Sequence, residues 1–220
     1  MNDIPHPWDL APSDAIQLQK RLASAVDTQT PIVLDDLELV AGVDVSVKKG
    51  LSRAAIVVLT FPGLEPVEAA TATLTTAFPY VSGLLSFREG PVILEAHSQL
   101  RHRPGAYLFD GQGIAHPRRL GIASHLGLWW DAPTVGCGKT RLVGDHAQPA
   151  PEKGAFEPLA HRDEVIGVVL RTRANVKPVF VSVGHRATLD TARELVLRCT
   201  TRYRLPEPIR AAHNTAGDFG

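Results

Sequence analysis

The sequence has only two cysteines among its 220 residues, Cys137 and Cys199, and no Cys-x-x-Cys pair. This scarcity excludes a disulfide-stabilised scaffold and a cysteine-rich zinc site. No apolar run approaches the roughly 18 residues that a membrane-spanning helix requires. The first residues lack the basic and apolar regions of a signal peptide. We therefore expect a cytoplasmic protein without membrane contacts.

A net charge of either sign is also absent, because 23 basic side chains balance 23 acidic ones. The two signs are nevertheless separated along the chain, with acidic residues concentrated before residue 45 and a basic surplus after it. Such a surplus can steer a polyanion toward the protein, although solvated loop charges explain it equally well. The length predicts a single domain over 1–220, with flexible ends at about 1–9 and 215–220. We also expect the protein to be monomeric.

Hydrophobic periodicity and turn residues predict a mixed α/β protein. A helix over 13–26 precedes three antiparallel strands over 38–47, 54–61 and 66–76. After a helix over 88–100, strands and helices alternate in the βα manner, which is typical of a sheet with helices on both faces. The later elements are strands at 105–109, 133–137, 164–171 and 178–183 and helices at 117–129 and 188–203. Residues 145–158, which contain proline, glycine and charge, predict an exposed loop or lid.

Acidic side chains occupy unusual positions in three predicted elements. Asp44 lies inside an apolar strand, Asp110 ends the strand at 105–109, and Glu89 opens a helix. Burying an ionised carboxylate is costly unless a positive partner is present. If the strands of Asp44 and Asp110 are neighbours, a shared Mg²⁺ or Mn²⁺ would remove their repulsion and support phosphodiester hydrolysis. Each acid taken alone is better explained as a cap, a turn residue or a surface charge.

Lysine and histidine residues give less specific signals. Lys139, in the segment GCGKTR, can bind phosphate as a point charge, although a solvated loop lysine explains the segment equally well. Pro133 stands where a Walker A loop requires its first glycine, which excludes a P-loop. His116, His185 and His213 can each act as an acid, a base or a phosphate donor, although an isolated histidine is more often structural.

Two further groups of residues are candidates for contact with a nucleic acid: the glycines after Asp110 and a turn that contains Tyr80. Gly111 and Gly113 leave the backbone beside Asp110 without side chains, so a phosphate backbone can approach it. Tyr80 lies in a turn after Phe78 and Pro79. Its ring either inserts among bases or packs on the core.

Taken together, these segments resemble the endonuclease V family, which has a ribonuclease H-like fold. The resemblance covers about residues 10–215 and rests on the segments AGVDVS, FPYVSGLLSFREGP, LFDGQGIAHPRRLGIASHLGL, GCGKTRLVG and VSVGHRATLDTARELVLRCTTRYRLPEPIRAAH. It implies a DNA repair endonuclease that uses Mg²⁺ or Mn²⁺. The family cuts the second phosphodiester bond 3′ to a hypoxanthine base and leaves a 3′-hydroxyl and a 5′-phosphate.

The resemblance also implies roles for individual residues. The catalytic positions, whose three carboxylates bind the metal, are Asp44, Glu89, Asp110, Lys139 and His213. Contacts to nucleic acid are implied for Pro79, Tyr80, Val81, Gly83, Leu85, Gly111, Gly113, His116, Arg118 and Gly136. Within this second set, Tyr80 matches a strand-separating wedge. The lining of the pocket for the flipped base is matched by Gly83, Leu85, Gly111 and Gly113.

The sequence departs from the family pattern in three places. Ser82 stands where many relatives have the second proline of the wedge, so this turn should be less rigid. Val183 replaces the proline that often precedes the Gly-His pair, and Gly138 and Thr140 replace the usual alanine and serine around the lysine. Because none of these positions is a carboxylate, we expect the chemistry to survive while substrate handling changes.

The sequence is also compatible with three other functions. The same chemistry on RNA would make the protein an inosine-specific endoribonuclease, and only the 2′-hydroxyl distinguishes the two substrates. A non-catalytic nucleic-acid-binding protein would have no need of the carboxylates. A hydrolase of small phosphate esters would have no use for Tyr80 in its turn.

Overall fold

The computed structural model describes residues 4–219, which form one eight-stranded mixed sheet and five α-helices. The strands are Leu39–Lys48 (β1), Leu51–Thr60 (β2), Pro66–Thr75 (β3), Ala106–Phe109 (β4), Thr134–Gly138 (β5), Phe156–His161 (β6), Glu164–Leu170 (β7) and Val179–His185 (β8). The helices are Pro12–Leu22 (α1), Leu85–His97 (α2), Ile122–Trp130 (α3), Leu189–Arg198 (α4) and Glu207–Gly217 (α5). None of these helices has the length and hydrophobicity needed to cross a lipid bilayer.

The strands lie in the order β3-β2-β1-β4-β5-β8-β7-β6. The first three form the predicted antiparallel meander. In the centre, β1, β4 and β5 are parallel, so their carboxyl ends meet at one edge of the sheet. Beyond β5 every pairing is antiparallel, from β5 to β8, from β8 to β7 and from β7 to β6. The predicted mixed sheet is therefore confirmed, and its parallel part is limited to three strands.

Helices cover both faces of this sheet, as predicted. Side chains alternate between the two faces along each strand. On one face, Val40, Leu108 and Cys137 pack with residues of α4 and α5. On the other, Val43 and Phe109 pack with residues of α2 and α3. We call the first the α5 face and the second the α2 face.

The prediction of a loop over 145–158 was wrong at its end, because β6 begins at Phe156. It forms a hairpin with β7 in which His161 pairs with Glu164. The two turn residues, Arg162 and Asp163, have φ values of 55° and 62°. Such a turn usually contains glycine or asparagine, so these two residues carry no local signal of a hairpin.

Two helix predictions were also wrong in their bounds. The helix predicted from 117 starts at Ile122, because Arg119 takes a left-handed conformation with φ of 59°. The helix predicted over 188–203 ends at Arg198 and is followed by α5, which was not predicted. Pro206 and Pro208 conceal the start of α5, although proline is well tolerated in a first turn.

The ends of the chain make contacts within the described part. Trp8 packs against Phe87 with ring centroids 5.8 Å apart. The amine of Lys48 lies 5.0 Å from the Phe219 ring centroid and donates a hydrogen bond to the Gly217 carbonyl. Of the ends expected to be flexible, residues 1–3 and 220 lie outside the described residues.

One glycine determines how α5 sits on the sheet. A Cβ atom on Gly42 would lie 1.9 Å from the carbonyl oxygen of Pro208, in the first turn of α5. The helix therefore rests directly on the backbone of β1, two residues before Asp44. This close approach sets the distance between α5 and the sheet, and so the distance of the His213 backbone from Asp44.

We predict that Gly42→Ala lowers stability, because its methyl group would displace the α5 backbone. Overpacking a core typically costs about 1–3 kcal/mol, which corresponds to a fall in Tm of several degrees for a domain of this size. Gly217→Ala is the matched control, since a Cβ there meets nothing within 4 Å. Equal thermal unfolding midpoints for the two variants would contradict this account of α5 packing.

Candidate active site

The parallel strands bring two carboxylates together at the edge of the sheet. Val43 of β1 is in register with Phe109 of β4. Asp44 and Asp110 therefore follow side by side, and the Asp110 amide donates a 3.1 Å hydrogen bond to the Val43 carbonyl. The neighbourhood of the two strands, on which the metal hypothesis depended, is confirmed. Lys139 follows the end of β5, and its ammonium group pairs with Asp110 Oδ2.

A histidine from α5 completes this group. His213 Nδ1 lies 2.7 Å from Asp44 Oδ2. One ligand atom each from Asp44, Asp110 and His213 all lie within 4.8 Å of one another. We call these three residues the metal cluster. It lies on the α5 face, because Asp44 shares the parity of Val40 and Gly42 along β1.

The concentration of carboxylates in and beside this cluster favours a bound cation. Burial, followed by repulsion from Asp110, raises the pKa of Asp44, while the hydrogen bond with His213 opposes the shift. Glu89, which reaches the edge from α2, lies outside the cluster. Burial and the charge of Asp44 raise the pKa of Glu89 to about 8. A divalent cation would neutralise this concentration of carboxylates, and their oxygens suit Mg²⁺ or Mn²⁺. The residues present thus fit the metal that the resemblance implies.

A cavity of ≈ 330 Å³ opens beside the metal cluster on the α2 face. Asp110 and Lys139 form part of its wall, so the cavity and the cluster are continuous. Six of the residues predicted to contact nucleic acid line it: Tyr80, Val81, Gly83, Leu85, Gly111 and His116. The cavity is therefore built from the turn before α2, the end of β4 and the segment that leads into α3.

The carbonyl group of Gly83 holds one wall of this cavity in place. It accepts hydrogen bonds from Gln19 Nε2 at 2.9 Å, His116 Nε2 at 2.9 Å and Arg118 Nη2 at 2.7 Å. Gly83 has φ of 78°, and a Cβ atom there would lie 2.6 Å from the Arg118 guanidinium. Glycine is thus required both by the backbone conformation and by the close approach of arginine.

His116 serves this wall as a neutral group. Its Nδ1 accepts a hydrogen bond from the Arg118 amide, so its Nε2 carries the proton donated to Gly83. Burial and the nearby Arg118 charge lower the pKa of His116 to about 4. The imidazole is therefore uncharged at neutral pH, and it does not supply positive charge to a phosphate.

Four other predicted residues lie outside the cavity wall. Pro79 lines a different cavity behind the turn, and Arg118 acts through Gly83. Gly113 and Gly136 are covered by backbone. A Cβ on Gly113 would lie 1.9 Å from the Val183 carbonyl oxygen, and one on Gly136 would lie 2.4 Å from the Gly113 amide. These two glycines allow strands and loop to pack closely, and they leave no room there for a substrate.

Tyr80 is the most exposed large side chain of the site, with 78% of its surface accessible. The turn that carries it is anchored by Arg88, whose Nη1 donates a 2.9 Å hydrogen bond to the Phe78 carbonyl. Of the two interpretations of this ring, packing on the core is excluded by its exposure. The aromatic ring stands free at the mouth of the cavity.

Several residues that support the site were not identified from the sequence. Gln19, on α1, is buried and joins both walls of the cavity by donating to the carbonyls of Gly83 and Leu120. Arg204 Nη2 donates to the Lys139 carbonyl at 2.7 Å and supports the lysine segment from behind. A glutamine between the apolar positions Leu18 and Leu22 was the one available signal.

The mixed sheet with helices on both faces, and with an acidic cluster at the edge where its parallel strands end, has a ribonuclease H-like fold. The family model described as Endonuclease V matches residues 19–214. The chain is 50% identical to the endonuclease V of Trichormus variabilis over 216 residues, which cover 97% of both chains. This chain therefore belongs to the endonuclease V family of nucleases.

Solved structures agree with this assignment. The endonuclease V of Streptomyces avermitilis superposes with a TM-score of 0.92 at 40% identity, covering 97% of this chain and 95% of that chain. The Ciona intestinalis endonuclease V in complex with a 24mer DNA containing an inosine followed by a ribo-adenosine has a TM-score of 0.80 at 27% identity. That match covers 93% of this chain and 95% of the Ciona chain.

We predict that Gln19→Met destabilises the protein, because it leaves the buried Leu120 carbonyl and the Arg118 Nε group without partners. Leaving a buried polar group unsatisfied costs about 1–3 kcal/mol. Gln17→Met is the matched control on the same helix, since Gln17 is exposed. Denaturant unfolding measures the free energy of unfolding of both variants. A free energy of unfolding that falls equally in the two variants would contradict the role of Gln19.

Proposed function

We propose that this protein is a divalent-metal-dependent DNA repair endonuclease that recognises deoxyinosine. It hydrolyses the second phosphodiester bond on the 3′ side of the damaged base and leaves a 3′-hydroxyl and a 5′-phosphate. The observation that carries the proposal is the metal cluster, which lies directly beside a cavity with an exposed aromatic ring at its mouth. The inosine-containing DNA bound by the Ciona relative supports the choice of substrate.

Asp44 and Asp110 hold the metal in this proposal, with His213 beside them and Glu89 at the edge of the cluster. The ion that they would hold, Mg²⁺ or in its place Mn²⁺, would supply positive charge at the scissile phosphate and would activate water for hydrolysis. His213 orients Asp44 through the 2.7 Å contact of its Nδ1 atom. The carboxylates therefore present their oxygens toward the substrate in a fixed arrangement.

Lys139 acts on the phosphate. Its ammonium group pairs with Asp110, and about a third of its side chain is exposed at the cavity. A substrate phosphate at the cluster comes within reach of the same ammonium group. Positive charge held at this point stabilises the negative charge that develops on the phosphate oxygens in the transition state. The hydrogen bond from Arg204 to the Lys139 carbonyl keeps the lysine backbone in position.

The cavity receives the extruded base. Inosine pairs weakly, so its removal from the stack costs less than that of a normal base. Backbone groups near Gly83 and Gly111 read the edge of hypoxanthine, whose C2 hydrogen replaces the amino group of guanine. A closely fitting wall excludes that amino group and leaves it without a partner. The hydrogen bonds that hold the Gly83 carbonyl keep this wall from yielding.

Tyr80 separates the strands next to the lesion. An exposed aromatic ring on a short turn can insert between base steps and stack on the base left behind. Arg88 holds the base of the turn, and Ser82 leaves it less rigid than a second proline would. The ring is thus available to the DNA before the base enters the cavity.

We predict that Asp110→Asn reduces cleavage of a deoxyinosine-containing oligonucleotide in Mg²⁺ by about 100-fold or more, the loss typical of removing one group that stabilises transition-state charge. Single-turnover cleavage of end-labelled DNA measures it, and chelation of the metal should abolish cleavage by the unmodified protein. Asp163→Asn, in the β6–β7 turn, is the control. A cut in matched riboinosine RNA alone would overturn the DNA assignment, and full activity of the Asp110→Asn variant would overturn the metal site.

We predict that Tyr80→Ala weakens binding to deoxyinosine DNA about tenfold or more, because stacking on a base contributes about 1–3 kcal/mol. Tyr80→Phe keeps the ring and should bind like the unmodified protein. Fluorescence anisotropy of labelled duplexes measures both affinities. If the Phe variant loses as much affinity as the Ala variant, stacking is not the role of this residue.

A further inference from the structure

The metal cluster and the cavity share Asp110, but they extend from it toward opposite faces of the sheet. His213 reaches the cluster from α5, and Asp44 points to the α5 face. The cavity is lined by Leu85 and Ile122, which belong to α2 and α3 on the α2 face. A strand with its base in the cavity and a phosphate at the cluster must therefore cross the edge from the α2 face to the α5 face.

The direction of this crossing follows from the proposed function, on which the present inference rests. The cut lies on the 3′ side of the base in the cavity. The chain of nucleotides thus runs from the cavity, past the metal cluster, onto the α5 face in the 5′ to 3′ direction. Whatever holds the strand beyond the cut must lie on the α5 face, close to His213.

A group of one tyrosine and two arginines lies next to α5, and in it Arg202 and Tyr203 are exposed while Arg210 is half-buried. Tyr203, in the segment between α4 and α5, has 41% of its surface exposed. The guanidinium carbon of Arg210 lies 3.3 Å from the Tyr203 ring centroid, and that of Arg202 lies 5.6 Å from it. We call these three residues the Tyr203 platform. Arginine stacked on an aromatic ring is a rigid, positively charged surface.

Two connections fix this platform relative to the active site. Arg210 precedes His213 by three residues on α5, so the two side chains are neighbours on one helix face. The residue after Tyr203, Arg204, donates hydrogen bonds to the carbonyls of Lys139 and Pro178, each at 2.7 Å. Arg210 is also held by Glu207, with Nη1 2.8 Å from Oε2. The platform is therefore tied both to the helix that carries the cluster histidine and to the lysine segment.

We propose that the Tyr203 platform binds the substrate strand on the 3′ side of the cut. Exposed Arg202 pairs with a phosphate, Arg210 supports the ring, and the exposed part of the Tyr203 ring contacts a base or sugar. Proteins that hold single strands combine a positive surface with aromatic side chains in this way. The contact would keep the strand taut across the sheet edge while the base occupies the cavity.

Binding measurements with strands of different length test the proposal. The protein carries Asp110→Asn to prevent cleavage, and three labelled deoxyinosine DNAs are compared: one long on both sides, one ending at the first nucleotide beyond the cut, and one shortened on the 5′ side. Tyr203→Ala should weaken binding of the DNAs that are long on the 3′ side about tenfold. The same substitution should leave unchanged the affinity for the DNA that ends at the first nucleotide beyond the cut, because that DNA is too short to contact the Tyr203 platform.

Charge variants give a second measurement. Arg202→Met should reduce the slope of log affinity against log salt by about 1 for the DNAs long on the 3′ side. Arg210→Met should reduce this slope less, because the Arg210 charge is already paired with Glu207. Arg103→Met is the control for net charge, since it precedes β4 and so lies at the opposite edge of the sheet. Tyr203→Phe keeps the ring and should preserve affinity, which separates loss of contact from loss of folding.

Two results would overturn the proposal. In the first, the loss of affinity caused by Tyr203→Ala depends on the length of the DNA on the 5′ side. In the second, the proteins with and without Tyr203→Ala bind each of the three DNAs equally well. Failure of the proposed function would look different. In that case the protein with Tyr203 intact would show no preference for deoxyinosine over adenine at the same position, whatever the length of the strand.

Discussion

Repulsion between carboxylates at the carboxyl ends of parallel strands is the constraint around which this molecule is built. The register of β1 and β4 forces Asp44 and Asp110 together, and Glu89 adds a third acid from the opposite face. Lys139 and His213 each pair with one of these acids. Lys139 is placed beside the acids by the end of β5, and His213 is placed there by α5. The strand order and the packing of α5 therefore both determine the geometry of this cluster.

Glycine has two distinct uses around this volume. At Gly83 the backbone conformation and the approach of Arg118 demand it, and the result is a fixed cavity wall. At Gly42, Gly113 and Gly136 it permits backbone to rest on backbone, so that α5 and the segment after Asp110 lie close to the sheet. The second use is structural, yet it determines the site, because the functional side chains are carried by the elements that these glycines let approach.

The sequence allowed the centre of the site to be predicted better than its surroundings. Asp44 and Asp110 could be paired because apolar strands around an acid are rare and because carboxyl ends of neighbouring strands meet. The β6–β7 hairpin could not be found, since Arg162 and Asp163 adopt positive φ values without the usual turn residues. Gln19 is a polar residue with a buried side chain, and only the folded structure shows that it joins two walls of the cavity. Such long-range contacts leave no local pattern in a sequence.

The position of α5 has a consequence for how the protein is made. Asp44 and His213 are separated by 169 positions in the sequence, and chains fold from the amino terminus while they are being synthesised. A ribosome-bound chain that already contains β1 to β8 still exposes the bare backbone of Gly42 and lacks the imidazole beside Asp44. The metal cluster is completed only when α5 docks, so a chain that has not yet folded α5 onto the sheet lacks one of the three members of the cluster.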